Sequence, residues 1–122
     1  MKFHLQAPGT IVVTALDDDS IRIGTTDYRE GIVLTPDTVI PGWAPEGFTA
    51  LVEADFARLL DYDPELVLLG TGPKQQFPHP RLLAALAQRR VGVESMDSRA
   101  ACRTFNILVA EGRRVVAAVA LK

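Results

Sequence analysis

The chain has 122 residues, a formal net charge of −2 and 48% hydrophobic residues, which fits one ordinary globular domain able to bury a core without staples. One cysteine, Cys102, and two distant histidines, His4 and His79, exclude an internal disulfide and any zinc-type ligand spacing. The net negative charge argues against nonspecific nucleic-acid binding, so no nucleic-acid partner is expected.

The first residues carry Lys2 and then Pro8-Gly9, with no apolar signal core, so no signal or transit peptide is expected. The longest apolar run, Val115 to Leu121, falls well short of the ~20 residues of a membrane span. With its lone thiol the chain reads as cytoplasmic, without a membrane span.

Thr10 to Ala15 is rich in β-branched residues and predicts a strand; Asp17-Asp18-Asp19-Ser20 predicts a turn. The three acids lack the spaced ligands and closing glutamate of a calcium loop. Ile21-Arg22-Ile23 alternates as a half-buried strand does, a second turn is expected near Thr25-Thr26-Asp27, and Tyr28 to Thr35 predicts another strand. Pro36, Pro41 and Pro45 with Gly42 and Gly47 forbid a helix or a central strand, so Pro36 to Phe48 reads as a structured loop around the lone Trp43. That tryptophan is either an anchor for a partner or the pin that holds its own loop to the core.

Glu53 to Leu60 predicts a short helix with Phe56, Leu59 and Leu60 on one face, stopped at Asp61-Tyr62-Asp63-Pro64. Leu66 to Leu69 has the continuous aliphatic pattern of a strand buried on both faces. A helix from Arg81 to Arg90, a strand from Val91 to Met96, a helix capped by Asp97 or Ser98 and running to about Glu111, and a last strand from Arg113 to Leu121 complete the chain. The expected fold is α/β: a single layered domain with a mixed central sheet, flanked by helices and carrying an added β-rich N-terminal layer. Leu66–Leu69, Val91–Met96 and Val115–Leu121 are expected at its centre.

A right-handed crossover makes the Leu66 and Val91 strands parallel, so Gly70-Thr71-Gly72 and Asp97-Ser98 emerge at one edge. Helix starts there would favour an anion, with Lys74, Arg99 and Arg103 adding positive charge. Charge is uneven along the chain: residues 1–73 carry four basic groups against twelve acids, and residues 74–122 carry nine against three. This marks either an anionic partner for the basic half or attraction between the halves.

A dinucleotide fingerprint fails in detail, because Gln75 stands where its third glycine belongs and Pro73 removes a donor; no phosphate loop follows Lys74 either. Ser95 and Ser98 lack a glycine-flanked elbow, Cys102 falls inside a helix, and His79 lies between prolines without an orienting carboxylate. No cofactor is expected.

Gly70-Thr71-Gly72, Phe77-Pro78, Glu94-Ser95-Met96-Asp97-Ser98, Ala101-Cys102-Arg103-Thr104-Phe105-Asn106 and Glu111-Gly112-Arg113 together resemble a known family. Leu34-Thr35-Pro36 and Val39-Ile40-Pro41 with Trp43 fit it too, so the likeness spans nearly the whole chain. It is the small domain family of unknown function that includes free-standing bacterial and archaeal proteins, a mitochondrial assembly factor for respiratory complex I, and the adipogenesis-associated Mth-domain protein. The resemblance implies a layered α/β domain and supplies no catalytic residue set; Phe105 stands where a tyrosine is common in the family. The expected role is therefore a non-catalytic binding or assembly-type protein acting through a protein partner. The alternative is a small anionic-ligand binder, or an enzyme using Asp97, Ser98 or Arg103 at the strand edge.

Overall fold

The computed structural model describes residues 11–122; His4, and Thr10 at the start of the first predicted strand, lie outside the described residues. A five-stranded mixed sheet forms the frame. Its strands are β4 (Gly31–Leu34), β5 (Val39–Trp43), β6 (Leu66–Thr71), β7 (Gly92–Met96) and β8 (Val115–Ala120), in the spatial order β5-β4-β8-β6-β7. The β6 strand pairs parallel with both β7 and β8, while β4 runs antiparallel to β5 and β8. A separate three-stranded antiparallel sheet is made by β1 (Val13–Leu16), β2 (Ile21–Ile23) and β3 (Thr26–Tyr28). The α/β fold with its mixed sheet and β-rich N-terminal layer is thus as the sequence implies.

Strand periodicity divides the core in two. Leu68, Val115, Ala117, Val119, Ile32 and Leu34 face the long helix α3 (Ser98–Ala110) and the three-stranded sheet. Their partners are Cys102, Phe105 and Val109 of α3 with Ile11, Val13 and Ile21. Val67, Leu69, Val116, Ala118, Ala120 and Val33 face the other way, onto Trp43, Phe48, Phe56, Leu59 and Leu86. This second layer holds the five-residue helices α1 (Glu53–Ala57) and α2 (Ala84–Gln88), joined to 3₁₀ turns at Phe48–Ala50, Arg58–Tyr62 and Pro80–Leu83. β6 and β8 are inaccessible along almost their whole length, because both sheet faces are covered. Phe105, fully buried, fills the space between helix and sheet, so a phenolic hydroxyl would have no water there.

Several expectations need correction. Val91–Met96 does form a parallel strand, but as β7 it lies at the edge, and it is only half-buried. Val39–Trp43, expected within a loop, is the opposite edge strand; Pro41 is tolerated because an edge strand pairs on one side only. Thr26 and Asp27 are not a turn but part of β3, where Asp27 pairs across the strands with Arg22 at 2.9 Å; Gly24 and Thr25 alone make the turn. The strand expected from Tyr28 to Thr35 is broken at Arg29-Glu30, where the chain passes from one sheet to the other. The helix expected to Leu60 tightens into a 3₁₀ turn after Ala57, and the one expected from Arg81 begins as a 3₁₀ turn.

The three-stranded sheet is fastened to α3 by polar contacts along β1. The Asn106 side chain accepts from the Val13 amide and donates to the Val13 carbonyl, both at 2.9 Å, and Arg99 donates to the Leu16 carbonyl at 3.0 Å.

Candidate functional site

The carboxyl ends of β6 and β7 do bring Gly70-Thr71-Gly72 and Asp97-Ser98 together. Asp97 caps α3, its carboxylate accepting from the Ala100 amide at 2.9 Å. Ser98 is 3% exposed and joins three segments. Its amide donates to the Gly72 carbonyl at 2.9 Å; its hydroxyl accepts from the Gly72 amide at 2.9 Å and donates to the Ala120 carbonyl. Two donors that a helix start offers to an anion are therefore consumed inside the fold, those of Ser98 and Ala100.

The glycines have packing roles. A Cβ on Gly70 would lie 2.9 Å from the Ser98 hydroxyl oxygen, 3.1 Å from the Ser98 Cα and 3.2 Å from the Ala101 Cβ, so α3 lies directly on the strand there. Gly72 has φ +97°, a conformation that favours glycine. Thr71 is buried between them. Its hydroxyl bonds the Lys74 carbonyl at 2.7 Å and accepts from the Gln76 amide at 3.0 Å, fixing the start of the proline-rich loop.

Beside these residues opens a cleft of about 320 Å³, lined by Gly72, Pro73, Asp97, Ser98, Arg99 and Lys122 together with Leu16, Asp17 and Asp18 from the end of β1. Lys74 and Arg103 do not line it. Arg103 shares a helical face with Arg99, as their spacing predicts, but lies over β1 in a separate shallow cleft of about 220 Å³ with Cys102 and Asn106. Three carboxylates thus share the larger cleft with two cations, and Arg99 is already committed to Leu16. Asp17 is held ionised below the usual carboxylate range by the backbone amides of Asp19 and Ser20.

The reactive side chains are likewise occupied. Cys102 is 4% exposed and burial pushes its thiol up to about 12, against a weaker opposite pull from Arg99 and Arg103. His79 Nδ1 accepts from the Arg81 amide at 3.2 Å, which caps the 3₁₀ turn. Trp43 faces inward. It is 5% exposed and meets Phe56 edge to face, with ring centroids 5.8 Å apart, so the ring pins its strand to α1.

Two features escaped the sequence reading. The first is the wall around Trp43, formed with Asp55, Arg58, Asp61 and Tyr62. Its signal is the string of acids interrupting the α1 pattern, which helical periodicity alone assigns to solvent. The second is Phe77, 79% exposed among Gln75, Gln76, Pro78 and Pro80, an aromatic in a stretch with no periodic face to bury it.

Comparison with known proteins settles the lineage. A family model described as a protein of unknown function (DUF498/DUF598) matches residues 13–120. The chain belongs to that family. Among relatives of this DUF498/DUF598 member is a mouse (Mus musculus) protein, 39% identical over 89 residues, covering 71% of this chain and 48% of the mouse protein. A rat (Rattus norvegicus) protein is 38% identical over 114 residues, covering 92% and 61%. Both are named NADH dehydrogenase [ubiquinone] 1 alpha subcomplex assembly factor 3. The chain thus spans about half to three-fifths of the length of these relatives. The solution structure of a Mth938-like domain protein from Bordetella pertussis superposes with a TM-score of 0.80 at 31% identity, over 98% of this chain and 92% of that one. The family resemblance carried by the glycine, Ser98 and Cys102 motifs is confirmed. Among the described residues no helix is long and apolar enough to cross a membrane.

Proposed function

We propose that this protein is a non-catalytic binding or assembly-type factor that works in the cytoplasm through a protein partner. The observation that carries this reading is the alignment of most of the chain with relatives named as complex I assembly factors. The site geometry supports it: Asp97 and Ser98, two of the groups an enzyme would use at the strand edge, are engaged in holding the fold. Ser98 ties Gly72 to Ala120, Asp97 caps α3, and the Cys102 thiol is buried and protonated.

The test is a deletion strain of the source cell, complemented with wild type or with Asp97→Asn or Arg103→Ala, with respiratory complexes resolved on native gels. Assembly work predicts accumulated subassemblies in the deletion and rescue by wild type and by both variants. Intact complexes in the deletion would sink the reading. Loss of rescue by either variant, while it remains folded, would instead favour an enzyme at the strand edge.

A further inference from the structure

Phe77 is the most exposed large apolar side chain among the described residues, at 79%, yet it does not stand on a slack loop. Both of its flanks are tied down. Before it, Gln76 donates its amide to the Thr71 hydroxyl at 3.0 Å and its carboxamide to the Thr71 carbonyl at 3.1 Å. Gln75 donates to the Ser95 carbonyl at 3.0 Å. After it, His79 Nδ1 accepts from the Arg81 amide, and Pro78 and Pro80 fix their own φ. A ring held out of the core on a braced loop needs little further ordering when it docks.

The stretch that carries this ring has one sign of charge. From Leu66 to Val93 the chain contains Lys74, Arg81, Arg89 and Arg90 and no aspartate or glutamate. All four cations are exposed, and among the described residues none is in an ion pair. Lys74 and Arg81 bracket Phe77, three residues before it and four after. Glu94 and Asp97 stand at the carboxyl end of β7, where the base of the loop is anchored. The loop backbone is also poor in donors: Pro73, Pro78 and Pro80 carry no N–H, and that of Gln76 is taken by Thr71. Backbone of that kind enters an apolar phase at less cost than one with free amides.

Two kinds of surface take an aromatic flanked by cations: an acidic protein and an anionic bilayer. A protein interface needs about 800 Å² from each partner around a cluster of anchors, and the neighbours of Phe77 are Gln75, Gln76 and prolines. A bilayer requires no matching shape. One ring at the headgroup level, with cations over the phosphates, gives reversible attachment.

We propose that the loop 73–80 is a peripheral membrane-binding site, in which Phe77 enters the headgroup boundary of an anionic bilayer. Lys74 and Arg81 lie over the lipid phosphates, and Arg89 and Arg90 add attraction at longer range. Nothing crosses the bilayer. The chain is held at its surface, more weakly as salt rises. Attachment of this kind is separate from the assembly role and does not depend on it.

The experiment sediments the full chain with vesicles of phosphatidylglycerol and phosphatidylcholine in equal parts, and with vesicles of phosphatidylcholine alone. Attachment predicts binding to the mixed vesicles, little to the neutral ones, and loss of binding as salt rises. Phe77→Ser, checked as folded by thermal unfolding, should weaken binding roughly tenfold. The double variant Lys74→Gln/Arg81→Gln should weaken it roughly twenty-five-fold, at about fivefold for each cation. Phe77→Trp should bind as wild type does and add an indole emission that moves to shorter wavelength on the mixed vesicles. Trp43, being buried, gives a constant background. No binding to the mixed vesicles, equal binding to both kinds, or binding unchanged in Phe77→Ser overturns the proposal. So does an emission from Phe77→Trp that stays in place. If vesicles are not bound while folded Phe77→Ser fails to rescue the deletion strain, the loop docks on a protein and the membrane site falls.

Discussion

The two faces of the central sheet are built in different ways. On one, a regular thirteen-residue helix, capped by Asp97, lays Cys102, Phe105 and Val109 against alternate residues of β6 and β8. On the other, short helices and 3₁₀ turns are held by aromatic side chains, with Trp43 and Phe48 both meeting Phe56 edge to face. The helical face is specified by backbone hydrogen bonds and close approach. The irregular face is specified by side-chain shape, which leaves its backbone free to form clefts and turns. The expectation is that the helical face tolerates a cavity less well than the irregular face, whose short elements can close around one.

The strongest test of the stiff face is Phe105→Ala, which should cost about 3–5 kcal/mol in denaturant titration, since the cavity lies between helix and sheet. Next come two neighbours in one strand that point to opposite faces. Leu68→Ala and Leu69→Ala should each cost about 2–5 kcal/mol, with Leu69 toward the lower end if the irregular layer closes around the space. A loss under about half a kcal/mol at Leu68 would place it outside the core, and a larger cost at Leu69 than at Leu68 would break the comparison.

Gly70→Ala pushes a methyl group into Ser98 and Ala101, and should cost about 1–3 kcal/mol. Asp97→Ala removes the cap alone and should cost about 0.5–2 kcal/mol, measured the same way. A further test concerns pH. The Cys102 thiol is raised in the folded chain from an ordinary value of 9.0 to about 12, so the unfolded chain loses that proton first as pH rises. Its contribution is full below the unfolded value and is lost through the window up to about 12. The stability difference between wild type and Cys102→Ala should therefore shrink from about pH 8 to about pH 10.5. The same burial predicts slow labelling by a thiol reagent in native buffer and fast labelling in denaturant. Fast native labelling would show that the helical face opens.

What the sequence made legible follows the same division. Leu66 to Leu69, the helix from Ser98 and the last strand are periodic or continuous in their apolar residues, and short-range pattern locates them well. Val39–Trp43 was hidden because Pro41 and Gly42 suppress strand propensity, and pairing with β4 overrides it. At the strand edge, the meeting of the glycine turn with Asp97-Ser98 was legible from the crossover rule. The use of Gly70 was not, since its reason is contact with Ala101, thirty-one residues on. Arg99 and Arg103 were placed on one face correctly, but which surface covers that face depends on β1, more than eighty residues earlier.

Asn106 has a consequence beyond fastening β1 to the helix. Its carboxamide has the donor and acceptor of a peptide group, and it takes both free backbone groups of Val13 on the outer side of the three-stranded sheet. In effect one side chain poses as a neighbouring strand of a single residue, so the edge that would recruit another chain is already answered from within. Colloidal behaviour, rather than stability alone, is then written into this position: with leucine there, the protein would fold with an open seam and self-associate as its concentration rises.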